Sequence, residues 1–443
     1  MNSQLLQELP ESPAGEQMRW YLGRLISAGE GASPVDRARY TPEFRKEIYG
    51  SSEPEDEQAR WRGFSARMGE ITSLTVEHAF AFSIRALVAT AKGNKWWLTF
   101  EVEAEPPHLI TKTDWQRQVD FKLEVRKANP ADAAALAEIE RRCPIVLGDT
   151  SIYFDRGDDY FAFTRLMEEA TVGIAFVDDK PAAVSCGAMH KVRIGGVIHP
   201  IVTVVHLRVM PGHQRKGLWG AVNRAFDHYW KDVDGSNAYI SVRNAGMQHG
   251  FANTPNKWPV TALRVQLACK DLAGPPKGRP ATAFDAARIV EILNATHERE
   301  EMYVPYTIES IAARLERAPK QYSWGNLWMT DRAVVGVWPA GNSLSVITES
   351  GTGRTVSRLG VTLDYGFIAG AENEFEGLLR AWCAALSSEK IDTLSIFTSE
   401  PSPGCERICA LGREIEAFNM WSPGIAEPPD SEQHGLYVDP IYF

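Results

Sequence analysis

No stretch of this chain reaches the roughly 18 uninterrupted apolar residues that a membrane-spanning helix needs. The opening residues, MNSQLLQELPESPAGEQ, lack the basic segment followed by an apolar one that marks a secretion signal. Both absences lead to the expectation of a cytoplasmic protein with no membrane partner. Cysteine is scarce, with six in 443 residues: Cys143, Cys186, Cys269, Cys383, Cys405 and Cys409. No CxxC pair and no histidine at zinc-finger spacing accompanies them, so reduced, packed thiols are expected and no metal. Basic charge is in deficit. Lys and Arg number 47 against 57 Asp and Glu, a net charge of -10, which argues against a broad nucleic-acid footprint. The balance is compatible with amine acceptors. A G-x-S-x-G nucleophile elbow is also missing, which removes the commonest serine-hydrolase signature.

What is present is an ordinary globular composition, 44% hydrophobic and 23% charged. At roughly 100–200 residues per domain the length suggests two to four domains. The expected fold class is mixed, α+β followed by α/β. Residues 1–120 read as helices followed by a meander. Met18, Tyr21, Leu22 and Leu25 have helical spacing, and WWLTFEVEAE alternates like a strand. Residues 121–274 alternate strands and helices. Strands are expected at Phe121–Lys127, Thr171–Val177, Ala182–Val192, Val197–Val209, Ala238–Arg243 and Val260–Ala268, and helices at Pro130–Arg142, Tyr160–Glu169 and Leu218–Trp230. A Pro- and Gly-rich linker, LAGPPKGRPAT, separates a third region, 280–443, that repeats this order of elements in looser form.

The chemistry concentrates in VVHLRVMPGHQRKGLWGAVNRAF, from Val204 to Phe226. An apolar strand stops before Pro211, a short basic loop follows, and a helix begins. A helix start offers unpaired N–H groups, Gly217 lets backbone approach a ligand, and Arg215 and Lys216 add positive charge. This is the physics of a pyrophosphate site.

The stretch resembles motif A of the GNAT superfamily of N-acetyltransferases, Q/R-x-x-G-x-G/A after a strand. Gln214 and Gly217 match, Trp219 stands at the third position, and Gly220 follows it. The form HQRKGLWGA is also similar to the enhanced-intracellular-survival group of tandem acetyltransferases. The first region, through LPESPAGEQMRWYLGRL and FEVEAEPPHLI, resembles an NTF2-like lid domain. The resemblance implies an NTF2-like domain followed by two tandem GNAT domains, the second degenerate because IAGAENEFEG lacks the loop and is acidic.

It further implies acetyl-CoA as cosubstrate and direct transfer of an acetyl group to an amine, either a small molecule or a peptide. The cofactor would be held by Leu207, Arg208, Val209, Gln214, Arg215, Lys216, Gly217, Leu218, Trp219, Gly220 and Asn244. Phe251 stands where many members carry a tyrosine acid. Catalytic candidates are His206 on the long strand, Tyr239 beside Asn244, and the terminal residue Phe443. Glu138, Glu140, Asp158, Asp159 and Tyr160 could also reach an acceptor, but each by itself reads as a solvated surface group. An acyl-CoA-binding sensor without turnover, or a partner-binding scaffold, remains open, as does a homo-oligomer.

Overall fold

A computed structural model describes residues 3–27, 36–49, 61–66, 68–118, 121–147, 149–157, 159–214, 216–244, 247–248, 257–422, 425 and 431–442. The chain divides into two compact units, the first essentially residues 1–122 and the second 123–443.

In the first unit four strands, β1 (Ile71–Ala79), β2 (Ser83–Thr90), β3 (Lys95–Val102) and β4 (Ile110–Arg117), form an antiparallel sheet in chain order. The helix Pro13–Ser27 buries Ala14, Met18, Tyr21, Leu22 and Leu25, the stripe expected of an amphipathic helix on a sheet. Alternate residues Leu98, Phe100 and Val102 of β3 face the same core. Tyr21 packs edge-on to Trp61 and Phe100 and accepts a hydrogen bond from Trp115 Nε1 at 3.1 Å.

The second unit is a large mixed sheet with helices on it. Its first half supplies β5 (Leu123–Lys127), β6 (Ile145–Leu147), β7 (Thr150–Asp155), β8 (Glu169–Val177), β9 (Lys180–Ile194), β10 (Val197–Val209), β11 (Gly235–Ser241) and β12 (Lys257–Ala268). Its second half supplies β13 (Arg279–Pro280), β14 (Leu327–Met329), β15 (Ala333–Trp338), β16 (Ser345–Ser350), β17 (Gly353–Phe367), β18 (Thr393–Ser399) and β19 (Glu414–Trp421). The order along the sheet is β13-β14-β15-β17-β18-β12-β19-β11-β10-β9-β8-β5. From either edge the pattern is the same: antiparallel neighbours, a long strand, its parallel partner, then a closing strand. The closing strands are exchanged, since β19 pairs β11 and β12 pairs β18.

The halves also share a helix start. Asn129 and Asp132 form a capping box that Arg126 clamps through two 2.7 Å bonds, ahead of the helix Ala133–Arg142. Thr282 and Asp285 repeat the box, clamped by Arg279, ahead of the helix Ala286–His297. The Asp178–Asp179 and Gly195–Gly196 pairs have positive φ, as two-residue hairpin turns require.

Three expectations are corrected. The expected helix Tyr160–Glu169 is instead turns and bends around a single 3-10 turn at Thr164–Leu166, running into β8 at Glu169, although Tyr160, Phe163, Leu166 and Met167 are buried. Apolar residues three apart also suit a 3-10 turn, so the spacing misled. The helix after the loop is α-helical only over Leu218–Asn223 and continues as 3-10 to Lys231, with Phe226 non-helical. In the third region Leu436–Val438, apolar at both ends and expected as a strand, makes only one bridge, Leu436 with Glu301.

No helix is long and apolar enough to cross a membrane among the described residues. Nor do those residues hold a group of three or more metal-ligating side chains.

Candidate active site

β10 and β11 run parallel but pair for only three residues, Ile201 with Gly235, Val202 with Ser236 and Thr203 with Asn237. Beyond that point β11 turns to β19 at Ala238–Ser241, while β10 stays with β9. The strands therefore fork, and among the described residues no strand pairs with Val204–Val209 on the side that β11 leaves. Within that stretch β10 carries a bulge. Its register passes from Val205 opposite Cys186 to Arg208 opposite Val184, and His206 has φ +57°. Bulges of this kind turn backbone groups out of the ladder and are common beside active sites. Among the described residues the only side chain bonded to the Val204–Val209 backbone is the guanidinium of Arg208, on Leu207 O at 2.9 Å.

At the wide end of the fork lies the loop from Pro211 to Gly217. Gly212 and Gly217 both have positive φ, and Gly217 caps the following helix. Gln214, Lys216, Gly217 and Gly220 are exposed, Trp219 is 43% exposed, and Leu218 is buried. The helix sits close to the sheet because Gly173 and Gly187 lack side chains. A Cβ at 173 would lie 2.6 Å from Val222 O, and one at 187 would lie 2.5 Å from the Phe226 ring. Asn244 follows β11, and its Oδ1 accepts from Met247 N–H at 3.2 Å, capping the next turn. Arg215, Phe251, Asp158 and Phe443 lie outside the described residues.

His206 belongs to a buried polar cluster. Arg156 Nη2 is 2.7 Å from His206 Nδ1. A guanidinium only donates, so Nδ1 accepts and the neutral ring carries its hydrogen on Nε2. Glu140, 1% exposed, takes Arg156 Nε at 3.2 Å and has Arg208 Nε at 3.4 Å. Tyr160 donates to the same carboxylate. Burial first, then the charges of Arg156 and Arg208, hold His206 well below its ordinary pKa. Glu140 is thus no solvated helix residue: it neutralises the arginines beneath the bulge.

A second constellation occupies the closed end of the fork. A cavity of about 390 Å³ is lined from the first half by His190, Thr203, Asn237 and Tyr239, and from the second by Tyr306 and Asp439 among others. Tyr239 lines it and His206 does not. Burial, then Asp439, raises the Tyr239 pKa, so its hydroxyl keeps its proton. Three polar side chains cross three strands on this face. His190 Nε2 is 2.7 Å from Thr203 Oγ1, and Thr203 donates to Asn237 Oδ1. Across the cavity Arg314 is shared by Asp364 and Asp439, and Tyr306 and Tyr322 both donate to Asp364. Sequence reading missed His190, Thr203, Asn237 and Asp439. The one signal was Thr203, a polar residue inside the run IVTVV.

The second half has its own parallel pair, β17 with β18, also joined over three residues. There the strand beyond is bonded by the helix Ala286–His297. His297 Nε2–H donates to Tyr365 O at 2.7 Å, and Thr296 Oγ1 accepts from Phe367 N–H and donates to Phe367 O. That fork is filled by the protein's own side chains.

No protein-family model matches the chain, and no curated protein does. Among solved structures it is similar to Saccharomyces cerevisiae N-myristoyltransferase with bound myristoyl-CoA and inhibitors. The identity is 12% over 76% of this chain and 87% of that one, with a TM-score of 0.49. It is also similar to a GCN5-related N-acetyltransferase from Sphaerobacter thermophilus, at 15% identity over 68% of this chain and 97% of that one, TM-score 0.43.

Proposed function

We propose that this protein is an acyl-CoA-dependent N-acyltransferase, acetyl-CoA being the donor and an amine the acceptor. The observation that carries the reading is the fork: two parallel strands that part after three pairs, with a bulge in the gap and a Gly-bordered basic loop at its open end. An extended pantetheine arm suits such a gap, because it can bond to the backbone of Leu207 and Val209 as an added strand does. The exposed loop residues Gln214, Lys216, Gly217 and Gly220, with Arg215, would hold the pyrophosphate. Backbone N–H groups of the bulge would receive the charge that develops on the thioester oxygen.

In this reading the second unit holds two GNAT-like copies that have exchanged their closing strands. The first is active, and the second is degenerate with its fork plugged by His297 and Thr296. The first unit is an NTF2-like recognition module. Reaction runs by direct attack of the amine on the thioester carbonyl, and needs no metal.

The test is isothermal titration of acetyl-CoA into the wild type and Gly220→Glu. A Cβ at Gly220 meets nothing within 4 Å, so the variant keeps its fold while placing a carboxylate beside the pyrophosphate. Binding by the wild type, weakened at least about tenfold in the variant, a loss of about 1.4 kcal/mol, supports the reading. A folded wild type that does not bind acetyl-CoA overturns it.

A further inference from the structure

The cavity at the closed end of the fork has chemistry of its own. It is walled by the rings of Tyr239, Tyr303, Tyr306, Tyr437 and Tyr442, with His190 at its side. Its volume suits a small molecule rather than a folded polypeptide. The Arg314 guanidinium is balanced by two carboxylates, so that trio leaves one negative charge over. Aromatic faces favour a cationic or amine group. Lys191, Arg317 and Glu168 stand among the lining groups as well, so the surrounding charges sum to zero, and Arg317 is tied to Leu166 O at 3.1 Å.

His190, Thr203 and Asn237 lie directly at the point where β10 and β11 part. Thr203 is fully buried and Asn237 nearly so. A polar row across the middle of an apolar sheet is costly unless every member is bonded. Here the row is bonded. Thr203 gives its hydrogen to Asn237, so its oxygen receives His190 Nε2–H. The basic nitrogen of the ring is then Nδ1. Tyr442 stacks on the ring face, which fixes its orientation.

We infer that this cavity is the acceptor site for a small primary amine on an apolar or aromatic body, and that His190 is the catalytic residue that takes the amine proton at Nδ1. The inference rests on the acyltransferase reading. The amine nitrogen bonds to the thioester carbonyl carbon and gives a proton to His190. The carbon–sulfur bond breaks, and the departing sulfur takes that proton up, giving amide and free thiol. Thr203 and Asn237 are positioning residues. Burial keeps the ring neutral and ready to accept, its pKa pushed down to about 4. The Asp439 carboxylate and the Lys191 carbonyl favour the protonated form, and Arg314 opposes it.

The experiment measures thiol release from acetyl-CoA with 2-phenylethylamine and with a lysine-containing tetrapeptide, for the wild type, His190→Gln and Thr203→Val. Acetyl-CoA binding is followed in parallel. The expected result is turnover with 2-phenylethylamine and a kcat lower by about 100-fold or more in His190→Gln. Binding of acetyl-CoA stays as in the wild type. Thr203→Val, which keeps the volume, lowers kcat about tenfold and moves the acid limb of the pH profile. It serves as the test if His190→Gln does not fold. Acetyl-CoA binding with transfer to the peptide alone, or with kcat unchanged in a folded His190→Gln, overturns the inference and leaves the acyltransferase reading standing. Absence of acetyl-CoA binding overturns both.

Discussion

Tyr442 lies flat on His190, with ring centroids 3.7 Å apart and planes 6° apart. Its hydroxyl also accepts the Glu168 N–H at 3.1 Å, and the ring is 5% exposed. Tyr442→Ala removes a buried ring and is expected to cost about 3–5 kcal/mol. Tyr442→Phe keeps the stack and loses one hydrogen bond, at about 0.5–1.5 kcal/mol. Urea unfolding followed by tryptophan fluorescence separates the two; equal losses would show that the stack contributes little.

Gly187 sits under Phe226 with no room for a methyl group. Gly187→Ala is expected to push the helix that follows Gly217 off the sheet, at about 1–3 kcal/mol. If that helix carries the pyrophosphate, acetyl-CoA binds more weakly as well. A melting curve and a titration on one sample check both.

His297 is buried between Glu300 and the Tyr365 carbonyl, with a ring nitrogen on each. His297→Leu leaves the Glu300 carboxylate buried without its partner, a loss of about 3–5 kcal/mol. The double variant His297→Leu with Glu300→Leu is expected to regain much of it. A chemical-denaturation cycle over the four proteins reads the coupling.

His190 and His206 are both held below their ordinary pKa, in each case chiefly by burial. Between that lowered value and about 6.5 the unfolded chain binds more protons than the folded one, so stability rises with pH. It is expected to fall as pH drops from about 6.5 toward 4, by at most about 1.4 kcal/mol per pH unit for each histidine. Unfolding midpoints across that range should flatten in the His190→Gln, His206→Gln double variant. An unchanged slope would place the acid sensitivity elsewhere.

Much of the fold was legible because period and punctuation agreed. The alternation in β3 and the loop between β10 and its helix both stood where the residues put them. β19 was not seen because its burial runs against its hydropathy. Ile415 is 46% exposed, while Glu416 is buried against Arg264. The constellation at the fork was hidden for a different reason. His190, Thr203 and Asn237 come from three strands and meet only through pairing register, which no local pattern encodes. Glu140 read as a surface residue because its two arginines, Arg156 and Arg208, are likewise distant in sequence.

The exchange of closing strands sets a timetable for biosynthesis. β11 ends at Ser241, but the strand that covers its edge, β19, begins at Glu414. At about 5–20 residues per second, a ribosome takes roughly ten to thirty-five seconds to make the intervening chain. Throughout that interval β11 presents an uncovered edge, and β12, once made, has neither neighbour until β18 is complete at Ser399 and lacks β19 until Glu414. Unpaired edges of this kind recruit other strands. The nascent first half is therefore a natural client for a chaperone, and a nonsense codon in the second half ahead of β19 should yield aggregate rather than a smaller working protein.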